Sequence, residues 1–315
     1  MIPTQKKTLT VIAPVYNEEE VIRDFYRELK AVIDGISAYQ ATMLFVVGRG
    51  SDQTFPILKE LAQKDSSLKV LYLSSRFGHQ MQLLAGIDCA DSDIVIMMDS
   101  DLQHPPVVIP RLLSEFEKGN EVVYTVREKT SDQSLFRKWG SDIFYWILNK
   151  ISDVHISGNA ADFRLISRKV TEVLKKEIRE RNLFLRGIIP WLGFNQSGIS
   201  FVADPRRAGK SKYSFSRLIT FGLSGVVSFS RKPLRVAMGA GILFAFLGFL
   251  YALFVIGQSY FNSTLPEGWA TVTVILLVFG GLQLIFLGII GEYIGAIFDE
   301  VKKRPHYIID EKINI

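Results

Sequence analysis

The sequence predicts a doubly wound α/β domain with a mostly parallel sheet, followed by a hairpin of two helices that cross a membrane. Short apolar runs rich in β-branched residues alternate with helical patterns over residues 8–126, which is typical of parallel sheets. Two long stretches without a charged residue, 236–256 and 270–291, follow near the C-terminus. A hydrocarbon core of about 30 Å takes about 20 helical residues, so each stretch is long enough to cross one.

Apolar spacing places the individual elements. Short continuous or alternating apolar runs predict strands, and apolar residues three and four apart predict helices. The predicted strands are 8–14, 41–47, 68–73, 94–98 and 121–126. The predicted helices between them are 21–36, one that runs through residue 61, 78–90 and 107–117. The weaker pattern that follows predicts a helix at 135–148, a strand that ends near Ser167 and a charged helix at 168–180.

Charge is distributed unevenly around the two apolar stretches. Residues 203–235 hold eight Lys and Arg against one Asp, whereas the connecting stretch 257–269 has no Lys or Arg. Because basic segments stay in the cytoplasm, both termini and the α/β domain are predicted to be cytoplasmic. The net charge of +5 fits this placement. Nucleic acid is disfavoured as a partner because the Lys and Arg residues follow the predicted membrane boundary. The single cysteine, Cys89, excludes a disulfide within the chain.

These patterns divide the chain into four parts. The pattern at 214–229 is that of an amphipathic helix in the membrane interface, with a helix packed on the α/β domain as the alternative. The predicted parts are an α/β domain at 1–210, a juxtamembrane region at 211–233, a membrane hairpin at 234–298 with helices at about 234–257 and 269–296, and a basic cytoplasmic tail at 299–315.

Two carboxylates, Asp99 and Asp101, end the predicted strand at 94–98. Carboxylate oxygens are hard ligands for divalent cations, and open α/β sheets bind ligands at the carboxyl ends of their strands. This pair therefore predicts a metal site. Acidic pairs at the start of a loop are also common without a metal, so the pair alone does not distinguish a metal site from an ordinary acidic loop.

Six short stretches with recognisable motifs occur in order along the chain: Ala13–Glu18, Ser75–His79, Asp99–Pro106, Asp162–Arg164, Arg186–Gly187 and Ala208–Tyr213. Together they resemble family 2 glycosyltransferases acting on polyisoprenyl phosphates. The GtrB-type bactoprenol glucosyltransferases and dolichol-phosphate mannose synthase are members of that family. The resemblance covers the whole chain, including the two apolar stretches.

The resemblance implies a GT-A fold, which is Rossmann-like, and an inverting transfer of a hexose to a lipid phosphate. The implied donor is a UDP-sugar, with glucose favoured, and the implied acceptor is undecaprenyl phosphate. It also implies Mg²⁺ or Mn²⁺ as cofactor, a multi-pass protein of the cytoplasmic membrane, and a homo-oligomer, with a tetramer as one form. The same reaction with mannose, N-acetylglucosamine or an aminoarabinose derivative, or an inactive membrane scaffold, remain alternatives.

The resemblance also implies roles for individual residues. The catalytic residues are Asp101, Asp162 and Arg207. The metal ligands are Asp99, Asp101 and Gln103. The nucleotide-sugar site takes Pro14, Tyr16, Asn17, Glu18, Arg76, Gln80, Asp99 and Ser100. The lipid phosphate is bound by Arg127, Arg137, Arg207, Lys210 and Lys212, for which solvation of the membrane edge is the alternative.

The chemistry of this reaction sets what the protein must supply. A phosphate monoester has a second pKa of about 6, so the acceptor oxygen is already anionic at neutral pH and needs little activation by a base. In the family motif this Asp lies near the acceptor, so the resemblance implies that Asp162 is an orienting group or a base; a structural carboxylate paired with Arg164 is the alternative. Tyr16 is predicted to lie against the nucleotide base or, alternatively, in the core.

The chain departs from the family pattern in two places. The second strand of the family ends in a pair of aspartates, one of which contacts the nucleotide base, whereas Val47 and Gly48 stand here. A smaller departure is the stretch Ser75–Gly78, which lacks an Asn that is common between the Arg and the Phe. The first departure leaves the identity of the donor open and does not affect the predicted metal site.

Overall fold

The computed structural model describes residues 6–127, 160–202, 232–261 and 268–315. Among these residues there are two compact units. One unit holds the described residues up to 202 together with 304–315, and the other holds 232–261 and 268–303.

The first unit is an eight-stranded sheet with helices between the strands. Its strands are β1 Lys7–Val15, β2 Tyr39–Val47, β3 Leu68–Leu73, β4 Ile94–Met97, β5 Val122–Arg127, β6 Ala160–Ser167, β7 Gln196–Phe201 and β8 Ile309–Ile313. Its helices are α1 Ile22–Gly35, α2 Thr54–Lys64, α3 His79–Cys89, α4 Ile109–Glu117 after one turn of 3₁₀ helix at Pro106–Val108, α5 Arg168–Lys176 and α6 Leu185–Trp191.

The strand order is β7-β5-β6-β4-β1-β2-β3-β8. β1 pairs in parallel with β2 and β4, β2 with β3, and β5 with β7. β6 is antiparallel to both β4 and β5, and β8 is antiparallel to β3. Six strands therefore end at one edge of the sheet, and β6 begins at that same edge. This mixed sheet confirms the α/β class and the mostly parallel order.

The predicted elements up to Arg127 are all present, with small changes at their ends. The charged helix α5 is shorter than predicted and ends at Lys176. The sequence analysis assigned no element to α6, β7 or β8. The predictions for 135–148 and 214–229 lie outside the described residues.

The core lies on both faces of the sheet. On one face, Leu9, Val11 and Ala13 of β1 pack with Phe25 of α1, whose ring lies 5.5 Å from that of Phe45. On the other face, α3 approaches β1 so closely that a Cβ on Gly86 would lie 2.4 Å from Ile12 Cγ2. Glycine at this point lets α3 pack closely against β1.

The second unit consists of two long helices, α7 Lys232–Phe261 and α8 Trp269–Val301. The rings of Phe244 and Phe279 meet edge to face at 5.9 Å. Large apolar side chains on both helices face outwards; Met238 is 64% exposed and Leu284 70%. Among the described residues, Val278–Val301 is long and apolar enough to cross a membrane, and Ala237–Tyr251 is a shorter apolar stretch. Apolar surface of this extent is typical of a lipid-facing helix.

The predicted tail at 299–315 contains an element that the sequence analysis did not expect. α8 continues to Val301, and β8 then joins the sheet of the first unit beside β3. The α/β unit therefore includes residues from both ends of the chain, whereas the prediction ended it at 210.

Candidate active site

The loops that follow the parallel strands meet at the carboxyl edge of the sheet. The loops after β1 and β2 are joined by side chains, since Asn17 Oδ1 accepts from Ser51 N at 3.1 Å and Glu18 N donates to Thr54 Oγ1 at 2.9 Å. Asn17 has φ 53°, a left-handed conformation that asparagine tolerates better than most residues. The predicted nucleotide residues Asn17 and Glu18 thus help to shape this loop.

Tyr16 does not lie in the core. The guanidinium of Arg76, from the loop after β3, lies 4.2 Å from the centroid of the Tyr16 ring. Arg49 Nη1 donates to Ser74 O at 3.3 Å and joins the loops after β2 and β3. The structure therefore brings together Tyr16 and Arg76, two of the residues predicted for the nucleotide-sugar site.

The side-chain amide of Gln82 lies at the end of β2, beside Val47 and Gly48, where the sequence departs from the family pattern. Gln82 Nε2 donates to Val15 O at 2.8 Å and to Val46 O at 2.9 Å, and it bridges the ends of β1 and β2. A Cβ on Gly48 would lie 3.1 Å from this nitrogen, and Val47 is 2% exposed. The end of β2 is thus closed by Gln82, which the sequence analysis did not single out.

The acidic loop after β4 is held in place by hydrogen bonds. Ser100 Oγ donates to Pro14 O at 3.0 Å, and Asp99 N donates to His104 Nδ1 at 3.0 Å. Asp101 Oδ1 accepts from Gln103 N at 3.1 Å. Leu102 between them is buried with φ 61°, a strained conformation for a leucine. The fold thus maintains a costly turn at the predicted metal ligands.

Asp99 is paired with His79 at the start of α3. His79 Nε2 lies 2.7 Å from Asp99 Oδ1, and His104 Nδ1 lies 3.6 Å from Asp99 Oδ2. Burial opposes the charged form of Asp99, but His104 and His79 outweigh it and lower its pKa. Burial likewise opposes the charged form of His79, but Asp99 and then Asp162 outweigh it and raise its pKa. His79 stood in a recognised stretch, yet no role was predicted for it.

The predicted catalytic carboxylate Asp162, near the start of β6, is held by arginines. Arg186 of α6 donates Nε to Asp162 Oδ1 at 3.2 Å and Nη2 to Oδ2 at 2.8 Å. Arg164 Nη2 lies farther away, 3.9 Å from Asp162 Oδ1. Burial raises the pKa of Asp162, but Arg186, His79 and Arg164 outweigh it, so the pKa is lowered. Burial lowers the pKa of Arg164 to about 10. The main partner is Arg186, whereas the structural alternative named Arg164.

A second contact joins α6 to α3. Leu185 N donates to Gln80 Oε1 at 3.0 Å, and Gln80 Nε2 lies 3.4 Å from His79 Nδ1. Gln80, predicted to bind the nucleotide sugar, therefore links the Asp99–His79 pair to the helix that carries Arg186.

The predicted lipid-phosphate residues fall into two groups. Arg127, at the end of β5, donates Nη2 to Gln103 Oε1 at 2.6 Å and so lies beside the acidic loop. Arg137, Arg207, Lys210 and Lys212 lie outside the described residues.

The carboxylate oxygens of Asp99 and Asp101 fit a cation whose other ligands come from a diphosphate. Among the described residues, no group of three or more His, Cys, Asp and Glu side chains could hold a metal ion. Mg²⁺ is commonly bound by one or two carboxylates together with substrate phosphates, and not by a cage made of protein alone. The carboxylates of Asp99 and Asp101 meet that requirement, whereas the amide oxygen of Gln103 accepts from Arg127.

Comparison with known proteins identifies the family. The model of glycosyl transferase family 2 matches residues 10–174, and that of the GtrB C-terminal hairpin matches 232–297. "Uncharacterized glycosyltransferase YkcC" of Bacillus subtilis is 39% identical, over 97% of this chain and 94% of the relative. The SfII prophage-derived bactoprenol glucosyl transferase of Shigella flexneri is 37% identical, over 96% and 97%.

Among solved structures, glucosyl-3-phosphoglycerate synthase from Mycobacterium tuberculosis is 15% identical with a TM-score of 0.47, over 70% of this chain and 77% of that one. The family match, together with the mixed sheet, confirms the GT-A class that the resemblance implied. With a family 2 match over more than half of its length and relatives of the same family along nearly all of it, the chain belongs to glycosyl transferase family 2 and carries the GtrB-type C-terminal hairpin.

Proposed function

We propose that this chain transfers glucose from UDP-glucose to a polyprenyl phosphate, with inversion at the sugar, and releases UDP. The observation that carries the proposal is the similarity to proteins named bactoprenol glucosyl transferase, 36 to 37% identical over 96% of this chain. The loops at the carboxyl edge of the sheet and the apolar C-terminal hairpin support it, because one reactant is a nucleotide and the other a lipid.

Departure of the diphosphate sets the first requirement of the reaction. Asp99 and Asp101 are proposed to hold Mg²⁺ or Mn²⁺ beside the donor. A cation held there would supply Lewis acidity that offsets the negative charge on the departing diphosphate. His79 fixes one carboxylate oxygen of Asp99, and the turn at Leu102 presents Asp101. A carboxylate that is already ionised and oriented binds a cation without first losing a proton.

Attack by the lipid phosphate sets the second requirement. Its oxygen is anionic at neutral pH, so a strong general base is not needed. Asp162 is a weak base, because its pKa is lowered and both carboxylate oxygens accept from Arg186. We therefore assign Asp162 the orienting role. It holds the guanidinium of Arg186 near His79 and Asp99, where the two substrates are proposed to meet.

Bringing an anionic acceptor to an anionic donor requires cations. Arg127 lies beside the acidic loop and is proposed to pair with the lipid phosphate, with Arg137, Arg207, Lys210 and Lys212. Both apolar helices are proposed to span the cytoplasmic membrane, with the α/β domain and both termini in the cytoplasm. Assembly into a homo-oligomer is proposed from the resemblance.

A panel of nucleotide sugars tests the proposal. The full chain, purified in detergent, is incubated with polyprenyl phosphate, Mg²⁺ or Mn²⁺, and labelled UDP-glucose, UDP-N-acetylglucosamine, GDP-mannose or an aminoarabinose donor. We expect labelled glucosyl lipid from UDP-glucose and little product without the divalent cation. Product from a different donor alone would replace the sugar assignment, and absence of lipid product with every donor would contradict the enzymatic function.

A further inference from the structure

The C-terminal residues of the chain form a segment that is bound to the α/β unit at several points along its length. We propose that this segment, Arg304–Ile315, positions the loop Ser74–Gly78 of the nucleotide-sugar site. The inference rests on the proposed function only for the identity of the nucleotide. The loop is the one that carries Arg76, and it leads directly into His79.

The far end of the segment is anchored by main-chain and side-chain bonds. β8 pairs with β3 in antiparallel register, with Val70 opposite Ile313, and covers what would be an exposed strand edge. Asn314 Nδ2 lies 2.8 Å from both Ala62 O and Leu68 O. Lys59 Nζ lies 2.6 Å from Glu311 Oε1.

The near end of the segment is anchored to α3 and to the chain that precedes α6. Tyr307 Oη donates to Asp88 Oδ2 at 2.6 Å, and Arg179 binds both oxygens of the same carboxylate at 2.8 and 2.9 Å. Burial and Asp88 raise the pKa of Tyr307, so its hydroxyl remains a donor. Arg181 Nη1 donates to the carbonyl oxygens of Arg304 and Pro305 at 2.6 and 3.0 Å.

The contact with the site is made between these two anchors. Ser74 N donates to Ile308 O at 3.0 Å, and Ser74 O accepts from Arg49 at 3.3 Å. Ser74 is therefore fixed on one side by the C-terminal segment and on the other by the loop after β2. Two residues farther along, Arg76 stacks on Tyr16, and His79 then pairs with Asp99. Loosening of the segment would free the start of this loop.

Only Lys302 and Lys303 lie between α8 and the segment. α8 ends at Val301, and Lys302 and Lys303 lead directly to Arg304. Arg304, the first residue of the segment, is thus joined by three peptide bonds to the last residue of the helix that is proposed to lie in the membrane.

Two tyrosine variants of the full chain test the inference. Tyr307→Phe removes the bond to Asp88 at the near anchor. Tyr26→Phe is the matched control, since Tyr26 Oη donates to Asp65 Oδ2 at 2.8 Å in the same unit, away from the loop Ser74–Gly78. Both variants lose one hydroxyl that bonds a carboxylate, so a general loss of stability would affect them alike.

Hydrogen exchange at the Ser74 amide is the first measurement, and the second is the affinity for UDP by calorimetry. In Tyr307→Phe we expect exchange at Ser74 to rise about tenfold, as loss of one hydrogen bond to a charged group predicts. We expect UDP and UDP-glucose to bind more weakly by about three- to tenfold, with kcat changed by less than about twofold. In Tyr26→Phe the Ser74 amide and the affinity for UDP are expected to match the parent chain.

Three results would overturn the inference: unchanged exchange at Ser74 in Tyr307→Phe, faster exchange with unchanged UDP affinity, or equal losses of affinity in both variants. A chain that forms no glucosyl lipid but binds UDP with this dependence on Tyr307 would refute the proposed function and support the inference. A chain that binds no nucleoside diphosphate would refute both.

Discussion

Two carboxylate sites face each other across the boundary between β4 and β6, and they are built differently. Asp99 and Asp101 follow β4, where His79 lies beside one oxygen of Asp99 and the main-chain amide of Gln103 donates to Asp101. Asp162 lies at the start of β6, where Arg186 binds both of its oxygens. A bidentate arginine engages both oxygens of a carboxylate, and such charge-assisted bonds are stronger than a single bond from a main-chain amide. The first site is thus suited to exchange a ligand, and the second to hold one arrangement.

The largest expected effect is that of Asp101→Ala on turnover. Loss of metal-assisted stabilisation of the leaving group removes several kcal/mol, so kcat should fall by about 10³-fold or more. The free energy of unfolding should fall by only about 1 kcal/mol, because Asp101 accepts one bond, from Gln103 N, in a partly buried turn. Radiolabelled transfer assays and thermal unfolding of the full chain measure the two effects.

The control for this variant is Asp91→Ala. Asp91 is an exposed aspartate at the opposite edge of the sheet, where it pairs with Arg168 at 3.1 Å. Asp91→Ala should therefore keep the kcat of the parent chain. If Asp101→Ala kept more than about a tenth of the parent kcat, the assignment of Asp101 as a metal ligand would be wrong.

The next effect is that of Asp162→Ala on stability. The change leaves Arg186 and Arg164 without their carboxylate, and Arg164 is 3% exposed. Removal of one partner from a buried ion pair typically costs about 3–5 kcal/mol. Chemical unfolding of Asp162→Ala, Arg186→Ala and the double variant measures the coupling between the two residues. A loss below about 1 kcal/mol, with turnover reduced as in Asp101→Ala, would mean that both carboxylate sites act in the chemistry.

The two sites also illustrate what can be predicted from sequence. The strand at 94–98 and the position of Asp99 and Asp101 at its end follow from local apolar spacing and local residue types. The partners do not, because His79, Arg186 and Asp162 come from separate parts of the chain. Only the antiparallel insertion of β6 beside β4 brings Asp162 to the same edge. His79 and Arg186 each belong to one of the six stretches that carry the family resemblance. Their position in those stretches does not indicate that they pair with Asp99 and Asp162.

β8 shows the same limit for the fold. Between Ile309 and Ile313 its three residues are all charged, so this short stretch is typical of a solvated tail. Its pairing with β3 depends on a sheet edge built more than 200 residues earlier in the chain. Gln82 is comparable, because nothing local distinguishes a buried glutamine that bridges two carbonyl oxygens from one on a helix surface.

A pH series sharpens the difference between the sites further. The pKa of Asp162 is lowered in the folded chain, chiefly by Arg186 against the opposing effect of burial. The stabilisation that this shift provides is present above the unfolded pKa of about 3.9 and is lost as the pH falls through the folded value. Asp162→Asn does not titrate at this position, so the stability gap between it and the parent chain should narrow as the pH falls below about 5. Thermal unfolding between pH 3 and 7 measures this gap, and a constant gap would contradict the ionised pair.

The smallest expected effect distinguishes two roles of Gln103, that of a metal ligand and that of a hydrogen-bond partner of Arg127. As a metal ligand, Gln103 would belong with Asp101, and Gln103→Ala would raise the Mg²⁺ concentration needed for half-maximal activity. In the structure its amide oxygen accepts from Arg127 at 2.6 Å. We therefore expect Gln103→Ala to raise the KM for polyprenyl phosphate by about fivefold, as loss of an exposed bond worth about 1 kcal/mol predicts, with the Mg²⁺ requirement unchanged. Arg127→Ala should raise this KM at least as much, and Gln103→Ala should add little to it in the double variant, since Gln103 acts through Arg127. A shift in the Mg²⁺ requirement without a change in KM would instead place Gln103 among the metal ligands.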